Sequence, residues 1–390
     1  MNIHNLIHLL ILISTTTTAS SFASEQPPPI TNNRKTKASF LPSKLSSKMG
    51  QGISATQFFV YGRKHFTKTG YKKHVSGYTT PVQESASICR GETGADGVDL
   101  AGKVVVVTGA NSGLGKEIAT YAAAKGATLY MLCRSKGRAE TARAEIVEKT
   151  LNENVNILLA DIGELSQLRE VVKDLQSKEE KVDCLVCNAG VLLNDRQETS
   201  EGNEITFAVH LLGGSYLLPT LLLPQLKSAG PESRVLFVTS GGMYRQPFPS
   251  WPVATSDQNA EKKIKYDGVN AYCYAKRAQV LLAERWAKER PEVTWVSGHP
   301  GWAATAAVDD AFGSDKKYLE PLRSTWEGAE GLTWLMSTEA KNLQSGEFYL
   351  DRKSQTKHLA GAFMTQGSYT KNTEKEVDEM IENLKKACGL

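Results

Sequence analysis

The chain has 390 residues, 41% hydrophobic and 23% charged, which suits the core of one large α/β domain and excludes a disordered or collagen-like chain. Its net charge of +4 hides a division, because residues 1–90 hold 11 Lys and Arg against 2 acids while the rest holds 35 against 40. The body of the chain is mildly acidic and carries no recognition motif, which argues against nucleic acid as a partner.

Leu6 to Ile13 is an eight-residue stretch, apolar except for His8 and too short to span a bilayer, followed by Ser and Thr residues and by Ala19-Ser20-Ser21 before Phe22. It has the order of a secretory signal with a cleavage site, although no Lys or Arg precedes it. Thr31 to Lys48 is basic, rich in hydroxyls and free of acids, like an organelle transit segment. A signal followed by a transit segment fits a plastid enclosed by extra membranes, or entry into the secretory pathway; a disordered tail with no address is the alternative. Met49-Gly50-Gln51-Gly52-Ile53-Ser54 also fits myristoylation if translation starts at Met49, which would leave the protein cytoplasmic or membrane-associated.

We divide the chain into a leader (1–48), a basic aromatic extension (49–98) and one large domain (99–390). In the extension Phe58, Phe59, Tyr61, Phe66 and Tyr71 are interleaved with Arg63, Lys64, Lys68, Lys72 and Lys73. That mixture suits peripheral contact with an anionic membrane, or equally a helix docked on the large domain, which is the reading we favour.

Val104 to Val107 is β-branched and wholly apolar, as in a strand buried on both faces of a parallel sheet. Thr108-Gly109-Ala110-Asn111-Ser112-Gly113-Leu114-Gly115 follows, and then a helical pattern with Ile118, Ala119, Ala122 and Ala123. Gly109 permits a tight exit from the strand, Gly113 has no Cβ to obstruct a phosphate, and Gly115 lets the helix approach the sheet. The free N–H groups at the helix start, around Asn111, Ser112 and Leu114, would take a pyrophosphate. The context of strand, turn and helix is what makes the glycines a dinucleotide signal.

Further strands are expected at Thr128 to Leu132, Val155 to Ala160, the segment ending at Cys187, Val235 to Ser240, Val293 to Val296 and Phe348 to Leu350. Helices are expected at Tyr272 to Arg290, near Ser324 to Met336 and at Glu374 to Ala387. The alternation predicts an α/β fold, a doubly wound parallel sheet flanked by helices. Leu211 to Leu226 is too short and too interrupted by Pro219 and Pro224 for a membrane span; it reads as a buried helix that could contribute to a homo-oligomer contact. Six cysteines do not suggest disulfides. Cys184 and Cys187 lie within one strand, on opposite faces and without a second ligand pair, so we expect core thiols and no metal.

After the second strand comes Cys133-Arg134-Ser135. An acid here would bind ribose hydroxyls and favour NAD, whereas Arg134 accepts a 2′-phosphate and points to NADP. Downstream, Tyr272 and Lys276 are four apart on one helix face. A tyrosine of pKa about 10 is roughly one part in a thousand ionised at pH 7, and the ammonium is expected to favour its phenolate. Ser240 can donate to a substrate oxygen and stabilise developing negative charge. Tyr274 falls on another face and reads as packing. The segment Arg245 to Asp267, with Pro247, Pro249 and Pro252, reads as an inserted loop lining a substrate mouth.

Taken in order, these segments resemble the short-chain dehydrogenase/reductase superfamily, over roughly Asp99 to Lys353. Cys187-Asn188-Ala189-Gly190 resembles its N-A-G, Val235 to Ser240 the strand ending in its serine, Tyr272 and Lys276 its Y-x-x-x-K, and His299-Pro300-Gly301-Trp302 with Thr305 its P-G-x-x-x-T loop. Ser240-Gly241-Gly242-Met243, Tyr266-Asp267-Gly268 and Phe348 to Lys353 are similar to the dehydrogenase/reductase family member 12 group, neighbours of retinol-dehydrogenase-like enzymes. The resemblance implies that Asn188, Ala189 and Gly190 support the cofactor, that Pro300, Gly301 and Thr305 lie against the nicotinamide, that Lys276 also holds its ribose, and that Asp161 contacts the adenine. It implies an NADP-dependent carbonyl/alcohol oxidoreductase, with an apolar small-molecule substrate. One departure stands out: His210 occupies a position where the family usually has an asparagine that holds a relay water. An imidazole could keep a relay and bring a pH dependence near 6.5, or have no chemical role. The latter leaves open a cofactor-binding protein with little turnover.

Overall fold

A computed structural model describes residues 56–86, 96–260, 264–305, 308, 313–359 and 370–390. The leader and the Met49 to Ser54 segment lie outside them. Eight strands form one sheet in the order β3-β2-β1-β4-β5-β6-β7-β8, parallel except for the antiparallel β7–β8 pair at one edge. The strands are β1 (Val104–Thr108), β2 (Thr128–Cys133), β3 (Val155–Leu159), β4 (Cys184–Cys187), β5 (Arg234–Val238), β6 (Thr294–His299), β7 (Phe348–Leu350) and β8 (Lys353–Ser354).

Period-2 alternation sends β1 into two cores. Val104 and Val106 pack on one face with leucines of the following helices, and Val105 and Val107 on the other with Ile118, Ala119 and Ala122. Cys184 and Cys187 divide in the same way between the two faces, both buried.

Two helices of the extension, α1 (residues 56–65) and α2 (Lys68–Val75), precede the sheet. The layer against Val105 and Val107 holds α3 (Gly113–Ala124), α4 (Lys136–Thr150) and later α8 (Thr325–Ser337). The opposite layer holds α5 (Leu165–Lys178), α6 (residues 205–221), α7 (Gly268–Glu289) and α9 (Glu374–Ala387). Helix α6 begins at Ile205–Phe207, passes through a π-helical stretch at Ala208–Leu217 and ends at Leu218–Leu221. The expected buried helix is therefore present, and its Leu211, Leu212, Leu217 and Leu218 are buried within the chain itself.

Local chemistry sets the helix limits. Ser324 and Thr373 form capping boxes with Glu327 and Glu376 at the starts of α8 and α9. Asp267 caps α7, which starts a turn earlier than the apolar pattern indicates. Among the described residues no helix is long and apolar enough to cross a membrane.

Candidate active site

The first βα turn shows why each glycine stands where it does. Gly109 and Gly113 have φ of +65° and +51°, values that L side chains rarely adopt. A Cβ on Gly115 would lie 2.3 Å from the Gly109 carbonyl oxygen, so only glycine lets α3 begin this close to β1. At Gly113 a Cβ would meet only Thr305, at 3.8 Å, so this turn faces open space. That space is a cavity of about 530 Å³ at the carboxyl ends of the strands, the usual ligand position in such sheets.

The ends of β1 and β4 are clamped beneath it. Asn188 donates to the Thr108 carbonyl at 2.9 Å, and the Asn188 and Ala189 N–H groups donate to the Thr108 hydroxyl at 2.9 and 2.8 Å. Gly190 completes the segment by leaving room for an imidazole, since a Cβ there would lie 2.1 Å from Cε1 of His210. Where β2 and β3 end, Arg134 approaches Asp161 at 3.9 Å, with both side chains partly exposed. Arg138, in the first turn of α4, lines the same end of the cavity and was missed in the sequence; a cation four residues after Arg134 was the available signal.

Ser240, Tyr272 and Lys276 converge on the opposite part of the cavity. The Ser240 oxygen accepts from the Gly242 N–H at 2.9 Å as the cap of a short turn, which leaves its own proton available to Tyr272, with which it hydrogen-bonds. The Lys276 ammonium donates to the Val238 carbonyl at 2.7 Å and stands 5.3 Å from the centre of the Tyr272 ring. Thr239 donates to the Lys276 carbonyl at 2.8 Å, so the strand carrying the serine and the helix carrying the tyrosine are tied together.

The electrostatics differ from the expectation of an acidified phenol. Burial pushes Tyr272 up to about 12, and the Ser240 hydrogen bond offsets only part of this. Burial also pushes Lys276 down to about 7, opposed weakly by Cys187. Each group is desolvated as its charged form, and neither offsets the other's shift.

His210 also departs from expectation. Its Nε2 sits 2.9 Å from the Val191 nitrogen and 2.7 Å from the Val191 oxygen, and its ring meets Tyr272 edge-on at 5.2 Å. Nδ1 is buried without a partner, and no hydrogen bond joins the ring to Lys276. Burial, reinforced by the Lys276 charge, holds it well below its ordinary pKa, so the expected titration near 6.5 does not arise here. The Arg245 to Asp267 loop is a further correction. Among the described residues of this segment only Arg245 reaches the cavity; Phe248 and Ala254 are buried in the helix-side core, and Trp251 stacks edge-on against Phe207. Tyr274 packs on that core, as expected.

The wall that the loop was expected to build comes instead from the N-terminal extension. Phe58 and Phe59 of α1 line the cavity beside Trp302, and Phe66 is fully buried behind them. The Phe66 carbonyl accepts from the Trp302 N–H and from Arg323, each at 2.8 Å. Arg323 in turn makes a bidentate, fully buried pair with Asp351, at 2.5 and 2.7 Å, and Asp351 also holds His74 at 2.7 Å. Burial alone would raise Asp351, but Arg323 and His74 outweigh it and keep the carboxyl below its usual range. The aromatic residues of the extension therefore face the enzyme.

Cys133, Cys184, Cys187, Cys273 and Cys388 are free and buried. Among the described residues no cluster of three or more His, Cys, Asp and Glu could hold a metal ion.

Residues 103–256 match the short chain dehydrogenase family model. The chain is 34% identical over 329 residues to human dehydrogenase/reductase SDR family member 12, covering 84% of this chain and 96% of that protein. Bovine retinol dehydrogenase 12 is 32% identical, over 69% of this chain and 82% of its own length. A solved short chain dehydrogenase of Escherichia coli CFT073, complexed with NADPH, shares the fold at 20% identity and a TM-score of 0.51, over 65% of this chain and 98% of that one. The chain belongs to the short-chain dehydrogenase/reductase family.

Proposed function

We propose that this protein is an NADP-dependent oxidoreductase that interconverts a carbonyl and an alcohol on an apolar small molecule. The observation that carries the reading is the convergence of Ser240, Tyr272 and Lys276 on a cavity whose other end is a glycine turn backed by Arg134 and Arg138. The residues fit the cofactor: the turn at Gly109 to Gly115 would hold the pyrophosphate, Asp161 the adenine edge, and Lys276 with Pro300, Gly301 and Thr305 the nicotinamide riboside. Two guanidinium groups where β2 and β3 end favour the 2′-phosphate of NADP over NAD. When bound, the nicotinamide supplies or takes up the hydride.

The protein's part is proton movement and orientation. In reduction Tyr272 gives its hydroxyl proton to the carbonyl oxygen, while Ser240 donates a hydrogen bond that holds this oxygen beside the phenol. A phenol pushed up to about 12 is fully protonated at neutral pH and ready as an acid. In oxidation the phenol first releases its proton to solvent, and the phenolate then accepts the alcohol proton as the hydride leaves; a charged Lys276 ammonium, 5.3 Å from the ring centre, would favour that form. A low-turnover, cofactor-binding role is the rival reading, favoured by His210 at the relay position and by the raised tyrosine.

NADPH oxidation with a panel of aldehydes and ketones separates the two. Enzyme function predicts consumption that Tyr272→Phe abolishes with NADPH binding retained. Tight NADPH binding without consumption across the panel would establish the rival.

A further inference from the structure

The substrate end of the cavity includes a component that lies outside the sheet domain. Gly241, the residue after Ser240, has no room for a Cβ: such an atom would lie 2.6 Å from Cε2 of Phe58 and 2.8 Å from Cε2 of Phe66. Phe58 therefore presses on the backbone one residue from the serine hydroxyl. Phe58 and Phe59 also flank Trp302, with ring centres 6.4 and 6.2 Å away. Gly62, one turn further along α1, is again the only residue that fits, since its Cβ would meet Trp302 at 2.5 Å.

Two rings of this group are only half-buried although they face the cavity, so part of their surface remains for a ligand. Their position is fixed from behind by Phe66 and by the Arg323 anchor described above.

Building on the oxidoreductase reading, we infer that α1 is a specificity-determining wall: Phe58 and Phe59, with Trp302, receive the body of an aromatic carbonyl or alcohol whose oxygen lies at Ser240 and Tyr272. Aromatic walls select flat apolar partners through edge and face contacts as well as buried area, and three such rings meet at this end of the cavity. The extension is thereby a part of the catalytic unit.

The test uses the full chain, with Phe58→Ala and Phe59→Ala as separate variants, and 2-naphthol and 2-naphthaldehyde as probes. Fluorescence titration of 2-naphthol in the presence of NADP needs no turnover. The wall predicts a Kd raised about five- to tenfold in each variant, with NADPH affinity unchanged. In the turnover arm, KM for 2-naphthaldehyde rises by a similar factor, and by more than any change in KM for propanal, which is too small to reach the wall. Equal 2-naphthol affinity in wild type and both variants overturns the inference, as does a loss that is the same for propanal and 2-naphthaldehyde. If no carbonyl is reduced by any form, the oxidoreductase reading fails, and the 2-naphthol titration still decides the wall.

Discussion

The two ends of the cavity are built by opposite strategies. At the cofactor end the turn directly follows a strand of the sheet and its demands are on the local backbone, a positive φ at Gly109 and Gly113 and a missing Cβ at Gly115, with Asn188 clamping the neighbouring strand ends. At the substrate end, Phe58 and Phe59 reach Trp302 and Gly241 across most of the chain, and a buried ion pair holds them there. Phosphate chemistry calls for a fixed cradle, whereas an added wall can change without disturbing the sheet.

The anchor of that wall is where the contrast breaks most readily. In Asp351→Asn the Arg323 guanidinium, fully buried, loses its bidentate carboxylate partner, and removing one partner of a buried pair costs about 3–5 kcal/mol. Chemical denaturation of the cofactor-free protein measures the loss, and hydrogen exchange at residues 56–75 shows whether the extension loosens first. Comparable protection in both proteins would mean that the extension is held by its aromatic packing alone. The next effect is chemical. Tyr272→Phe lowers carbonyl-dependent NADPH oxidation by about 10²–10⁴, the range of general acid catalysis, with little change in NADPH affinity.

Legibility in the sequence follows the same divide. The Val104 to Val107 run, the glycines and the tyrosine–lysine pair were readable because the forces that place them act within a few residues. Strand limits at Phe348–Leu350 and helix limits at Glu374–Ala387 agree with the pattern for this reason. Short-range cues misled at Arg245 to Asp267, where three prolines marked a loop without saying that Phe248 would bury its ring elsewhere. The aromatic residues of the extension showed only that they needed an apolar surface. Which surface depended on Arg323, Asp351 and Trp302, none of them near in sequence. The raised Tyr272 was hidden as well, since helical spacing records the distance to Lys276 but not the loss of water around both.

That desolvation gives a pH signature. Lys276 in the folded, cofactor-free chain titrates at about 7, against 10.5 when unfolded, so between these values the unfolded state binds more protons. Stability contributed through this group therefore rises with pH above about 7, with a limiting slope of about 1.4 kcal/mol per unit. Unfolding free energies at pH 7, 8 and 9 for wild type and Lys276→Met isolate it: wild type should gain roughly 2 kcal/mol relative to the variant across this window. Parallel profiles would mean that the ammonium keeps enough solvation to remain charged.

A smaller effect sharpens the reading of the His210 position. Gly190→Ala drives a methyl into the imidazole and should cost about 1–3 kcal/mol, as overpacking does. Combined with His210→Asn, whose side chain is shorter, the same substitution should cost under about 1 kcal/mol. Additive losses would place the strain somewhere other than this contact.

The smallest expected change lies at the cofactor end, in the balance between two nicotinamide nucleotides. Arg134 is 57% exposed in its side chain and engages Asp161 only at 3.9 Å, so little stability rests on it. Its proposed value is in charge-assisted hydrogen bonds to a 2′-phosphate, which NADH lacks. Arg134→Ala should therefore lower kcat/KM for NADPH about tenfold, with Arg138 preserving part of the preference, and leave NADH nearly unchanged. The double variant Arg134→Ala, Arg138→Ala should then bring the two cofactors to parity. If NADPH and NADH fall together, Arg134 acts by shaping the turn and the phosphate is held elsewhere; if neither falls, the cations at this end belong to the solvent and the preference for NADP has no basis in them.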